Sequence, residues 1–121
     1  MSVYKNYYVI AGYDLTGYTT DKYKEWQWSA EWEDLTCRQT KGNIQLFYDP
    51  MCGNFLYLGY ILAAGDEYEF ETTKINVEDV SSKEIMYDVT SEFNKLVDAG
   101  LIKYEHKPFF PYRIIVFEEC T

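Results

Sequence analysis

At 121 residues the chain is of one-domain size and can bury a core without metal or disulfide support. Its hydrophobic fraction is 47%, but no apolar run approaches the ~18 residues of a membrane span, and the run from Tyr7 to Gly12 is too short for a signal segment. A net charge of −9, from 20 acidic and 11 basic residues, repels nucleic-acid phosphates and anionic lipid, so direct nucleic-acid or membrane binding is disfavoured and a basic partner is favoured.

Residues 6–14, NYYVIAGYD, read as a strand whose continuous apolar run Val9-Ile10-Ala11 suits burial on both faces. The Thr- and Gly-rich stretch Leu15 to Asp21 reads as a loop. In KEWQWSAEWEDLTC, residues 24–37, all three tryptophans alternate with acids. Trp26 and Trp28 share a face at strand spacing, while Trp28 and Trp32 share one at helix spacing. Thr20 and Asp21 offer a helix start, but a helix would scatter the three indoles, so a strand or irregular segment is expected.

Asn43 to Tyr48 and Phe55 to Ala64 form a hairpin across DPMCGN. FLYLGYILA, apolar at nearly every position, should be a central strand covered on both faces, with Gly59 marking a bulge or the close approach of a ring. Gly65-Asp66 is a turn signal, after which Glu67, Glu69 and Glu71 alternate with Tyr68 and Phe70 along a further strand. Residues 81–99 are the principal helix: Ser81 as N-cap, Glu84 completing a capping box, Val80 and Ile85 as a staple, and an apolar stripe of Ile85, Val89, Phe93 and Leu96 flanked by Met86 and Val97. Gly100 ends it, with Leu101 placed to fold back on the last turn. Leu101 to Glu105 and Tyr112 to Glu119 close the chain as strands. The order predicts a single α+β domain over 1–121, mainly an antiparallel sheet with the one helix on a face, and no internal repeat or linker.

Catalytic constellations are not apparent. Cys37, Cys52 and Cys120 are odd in number and lack C-x-x-C spacing, which argues for a reducing, cytoplasmic setting and against a zinc site. His106, the only histidine, sits in a loop-like segment with no thiol nearby in sequence. The glutamates of DEYEFE point one way at roughly 7 Å intervals, too far apart to chelate one ion, and no phosphate-cradling glycine motif is present. The expectation is therefore no catalytic residue, no metal and no cofactor. Lys103, Lys107 and Arg113 could hold a small anion such as a signalling nucleotide. SEFNKLVDAGLIKYEHKPFFPYRIIVF resembles the last helix and wing of a winged-helix domain, yet its helix carries Glu84, Asp88, Glu92 and Asp98, which DNA would repel.

The aromatic content of 19%, including 13 tyrosines, exceeds what a core of this size can wet, and Tyr and Trp favour recognition surfaces. Trp26, Trp28, Trp32, Glu67, Glu69 and Glu71 are thus the candidate partner surface, and the glutamate row could imitate a nucleic-acid backbone in a basic groove. Across its length the chain resembles the small acidic accessory and early proteins of tailed phages of Gram-positive bacteria, in its size, NYYVIAGYDLTGY, the Trp–acid segment, FLYLGYILAAGDEYEFE and the terminal IIVFEEC. The resemblance implies a non-catalytic binder that blocks a host enzyme or defence protein in an infected bacterium. A ligand-sequestering pocket, a virion structural role, and a homodimer seam made by an aromatic patch are the alternatives.

Overall fold

A strand that is apolar at successive positions needs cover above and below, and β1 (Lys5–Asp14) has it, with Tyr8 and Ile10 buried on one face and Ala11 and Tyr13 on the other. The computed structural model describes residues 5–36, 43–49, 55–66, 75–103 and 111–120. Its four strands, β1, β2 (Ile44–Asp49), β3 (Phe55–Asp66) and β4 (Arg113–Cys120), run in the order β2-β3-β1-β4, each neighbour antiparallel. Four helices accompany them: α1 (Asp21–Trp26), α2 (Ala30–Thr36), α3 (Val77–Val80) and α4 (Lys83–Asp98). The fold is α+β, with a sheet that is antiparallel throughout and α4 as its main helix.

The period-two alternation divides the side chains into two clusters. On the helix side, Tyr13 of β1, Leu56 and Leu58 of β3, and Ile44 and Leu46 of β2 pack with Val89, Phe93 and Leu96 of α4, and with Trp32 and Leu35 of α2. On the opposite side, Tyr8, Ile10, Phe47 and Phe55 are buried together, flanked by Tyr57, Ile61, Ile115 and Phe117. Phe117 touches four rings there, with centroids 4.9 to 5.5 Å away. The segment FLYLGYILA is therefore a central strand with apolar contacts on both faces, as its composition demands.

Gly59 stands opposite Gly12. A Cβ at Gly12 would drive into the Leu58 carbonyl, and one at Gly59 would come within 2.9 Å of both the Ala11 carbonyl oxygen and Ile10 Cδ1. The close approach at Gly59 is thus made by the neighbouring backbone and Ile10, not by a ring. The bulge lies further along, where the register passes from Ile10–Ile61 to Val9–Ala63 and leaves Leu62 unpaired.

Three sequence expectations are corrected. Gly65 and Asp66 do not turn: they pair with Tyr7 and Asn6, because β1 is long enough to carry β3 to that point. The principal helix is capped by Ser82, whose hydroxyl accepts the Ile85 N–H at 3.2 Å. Ser81 instead ends α3, its N–H donating to Val77 O at 3.1 Å, because Asn76 caps a separate short turn upstream. The Ser81–Glu84 box and the Val80–Ile85 staple therefore do not form, and Val80 is exposed. After α4, residues 101–103 make only an isolated bridge, Thr19 to Ile102. At the helix end the expectation holds. Gly100 has φ +77, its N–H reaches Val97 O, the Leu101 N–H reaches Leu96 O at 3.0 Å, and Leu96 and Leu101 are buried in one cluster, a complete Schellman cap.

Gly12→Ala tests the central pairing. The methyl cannot be placed without separating β1 from β3, so the variant should lose about 1–3 kcal/mol, read as a lower urea midpoint.

Candidate functional site

The tryptophan segment folds as two short helices, which corrects the expectation of a strand or irregular stretch. Thr20 caps α1, accepting the Tyr23 N–H at 3.3 Å, and Asp21 complements its positive end. Ser29 opens α2 in the same way, accepting the Trp32 N–H at 3.2 Å. Between them the chain must reverse within three residues, and Trp28 absorbs the reversal at φ +75. A left-handed backbone costs a bulky residue about 1–2 kcal/mol. Two aromatic contacts offset part of this: the Trp28 ring lies 4.5 Å from Trp32 and 6.3 Å, edge-on, from Tyr48.

The three indoles take three different environments. Trp32 is a core residue, 6% exposed, and its Nε1–H donates to the Tyr23 hydroxyl at 3.2 Å, locking α2 to α1. Trp28 is 66% exposed. Trp26 is half-buried at the edge of the core, its Nε1–H donating to Glu31 Oε2 at 3.3 Å. Of the remaining candidates, Glu67, Glu69, Glu71 and Lys107 lie outside the described residues, as do Cys37, Cys52 and His106. Lys103 and Arg113 are exposed.

Trp26 lines an open groove of about 890 Å³ between the α1–α2 pair and the C-terminal half of α4. Its floor is apolar: Trp26, Ala30 and Leu35 on one wall, Leu96, Ala99 and Leu101 on the other. The rim is charged, with exposed Glu25, Glu31 and Asp34 against Lys22 and Lys95, while Glu92 lines the groove with its side chain largely covered. Lys95 pairs with Glu92 at 3.1 Å along α4. Neither Lys103 nor Arg113 contributes to this lining. The groove's far end is fixed by backbone and side chain together: Thr20 Oγ1 donates to Gly100 O at 2.6 Å and the Thr20 N–H to Leu101 O at 3.1 Å.

Of the three indoles, then, Trp28 is exposed, Trp26 is half-buried along the groove and Trp32 belongs to the core, and α4 adds a wall that no sequence pattern announced. Chemically the groove can bury apolar side chains and offer carboxylates to cations. Among the described residues no three His, Cys, Asp or Glu side chains converge on a possible metal position. No helix among the described residues is long and apolar enough to cross a membrane.

Burial pushes the Tyr23 phenol above its ordinary value of about 10, the Trp32 indole partly opposing the shift and Tyr48 adding to it. Tyr57 and Tyr112 are raised chiefly by burial too, with smaller contributions from Asp14 and Tyr13 respectively. Above pH ~10 the unfolded chain releases phenol protons that the folded chain still holds, so stability falls as pH rises. Tyr23→Phe should make that alkaline fall shallower while costing about 1–3 kcal/mol at neutral pH, because the buried Trp32 N–H loses its acceptor. Chemical denaturation at a series of pH values reads both effects.

Comparison with protein-family profiles, with characterised proteins and with solved structures gave no match.

Proposed function

We propose that the chain is a non-catalytic protein-binding module whose groove receives a basic, amphipathic helical segment of a partner protein. The observation that carries this reading is the pairing of an apolar floor with a rim of three exposed carboxylates, Glu25, Glu31 and Asp34, and two ammoniums. Apolar grooves between helices commonly bind a helix by one face, with anchors at i, i+3, i+4 and i+7. The rim sets the sign of the flanking residues: lysine or arginine beside the anchors meets Glu25, Glu31 and Asp34, and acidic flanks meet repulsion. The overall charge of −9 steers the same partner at longer range.

Trp28 adds a second anchor. Glycine suits φ +75 without strain, so a tryptophan there, largely in solvent, points to a role for the ring outside the fold. Exposed Trp is the side chain most enriched in binding hot spots. The resemblance to phage accessory proteins supplies the setting in which a basic bacterial host protein is bound and blocked. It rests on sequence features and charge alone.

The test uses a synthetic helical peptide with leucines at i, i+4 and i+7 and arginines on the flanks, titrated against the whole protein by tryptophan fluorescence. Binding in the micromolar range with a blue shift is expected, weakening as salt rises. Trp26→Ala should cost about 2 kcal/mol of affinity, as a hot-spot truncation does. Glu25→Lys with Glu31→Lys should weaken binding and flatten the salt dependence. Trp28→Gly should keep the thermal midpoint near that of the parent. Equal affinity for a scrambled peptide of the same composition, or no saturable binding, would overturn the reading.

A further inference from the structure

The two edges of the sheet are treated differently. Along β2, α2 packs against the strand, and Gln45 Nε2 donates to the Thr36 carbonyl at 3.0 Å, so that edge is covered. Along β4, paired with β1 through eight unbroken register positions, the described helices give no comparable cover; α4 lies over β1 and β3. The helix-side residues of β4 accordingly meet solvent: Val116 is 74% exposed and Ile114 42%. Natural edge strands carry lysine, proline or a bulge to prevent pairing with another chain. Residues 113–120, RIIVFEEC, carry no lysine, proline or bulge, and their charges, Arg113, Glu118 and Glu119, stand at the two ends, leaving Ile114 to Phe117 without a guard.

We propose that β4 is the seam of a homodimer, in which two copies pair β4 with β4 antiparallel about a twofold axis at Ile115. Three observations select a second copy as the occupant. First, this register sets Ile114 directly opposite Val116 of the partner, and Val116 opposite Ile114, so four exposed β-branched side chains cover one another on one face. A slip of one residue turns the matched faces away from each other, and a slip of two sets Ile114 against Glu118 in one direction and Val116 against Tyr112 in the other. Second, residues 113–117 contain one arginine and no acid, which makes them a stretch where two chains of net charge −9 can meet without carboxylates in contact. Third, since α4 overlies β1 and β3, the described helices leave the helix-side approach to β4 open for a second sheet. The product is one continuous sheet of eight strands.

A twofold axis perpendicular to the sheet keeps like faces together, so both helix layers, and both grooves, open on the same side. Two basic segments on one partner, or on a partner that is itself dimeric, are then held at once, and the second binds at the raised effective concentration of a tethered site. This consequence depends on the proposed function of the groove; the seam does not.

Equilibrium sedimentation of the intact protein, from micromolar to high micromolar concentration, is expected to give twice the chain mass of 14.4 kDa. Val116→Lys should halve the sedimenting mass with an unchanged circular-dichroism spectrum and unchanged peptide affinity per chain, since Val116 is remote from the groove lining. A parent of single-chain mass overturns the seam, and so does a folded Val116→Lys protein that stays dimeric. Should that variant unfold, an Ile114→Cys chain mixed with a Val116→Cys chain, with the three native cysteines replaced by serine, decides the matter. Directly opposed strand positions lie within disulfide reach. A disulfide between the two different variants supports the register, and its absence under oxidising conditions overturns it. A seam that fails while the peptide still binds leaves the groove reading intact, and the converse also holds.

Discussion

Tyr13 joins the parts of this protein that would otherwise be separate. It is near the end of the central strand, and its ring stacks on Phe93 of α4 with centroids 4.5 Å apart. Its hydroxyl shares a 2.8 Å hydrogen bond with Thr90, one turn earlier on the same helix. Tyr112, just before β4, meets the same ring edge-on at 5.7 Å. One side chain thus fixes how far along the sheet α4 sits and where the last strand begins. Because α4 also supplies a wall of the groove, the contacts of Tyr13 with Phe93 and Thr90 help hold that wall against the sheet.

Charge and aromatic content divide the labour. The rings are largely spent on structure: Phe117 and its neighbours fill the second face, and Trp32 and Tyr23 brace the two short helices. The acids lie on the surface, including the groove's rim, where exposed charges add little to the stability of the fold. Trp28 departs from this division, since it is large, apolar, exposed and conformationally strained together.

β1 to β4 and α4 were legible because their apolar residues recur at one period for long enough to average out exceptions, whereas the expected strand from Leu101 had no such run. The Schellman cap was legible because Gly100 followed by Leu101 has a local meaning. The tryptophan segment was not. Helices of six and seven residues, broken by one left-handed residue, give no period that persists. The Ser81 cap failed for a similarly local reason, two adjacent serines of which the second serves the longer helix. Asn76 had already claimed the first for α3. The groove lay beyond sequence reasoning altogether, because its walls come from residues 22–35 and 92–101 and no pattern within either announces the other.

The link between Thr20 and Gly100 spans 80 positions of sequence. A contact of that span carries a large loop-closure entropy, so it holds only when the rest of the fold supports it. The groove is consequently a property of the finished molecule alone. A nascent or partly unfolded chain has the tryptophans and the carboxylates but not the recess that brings them together.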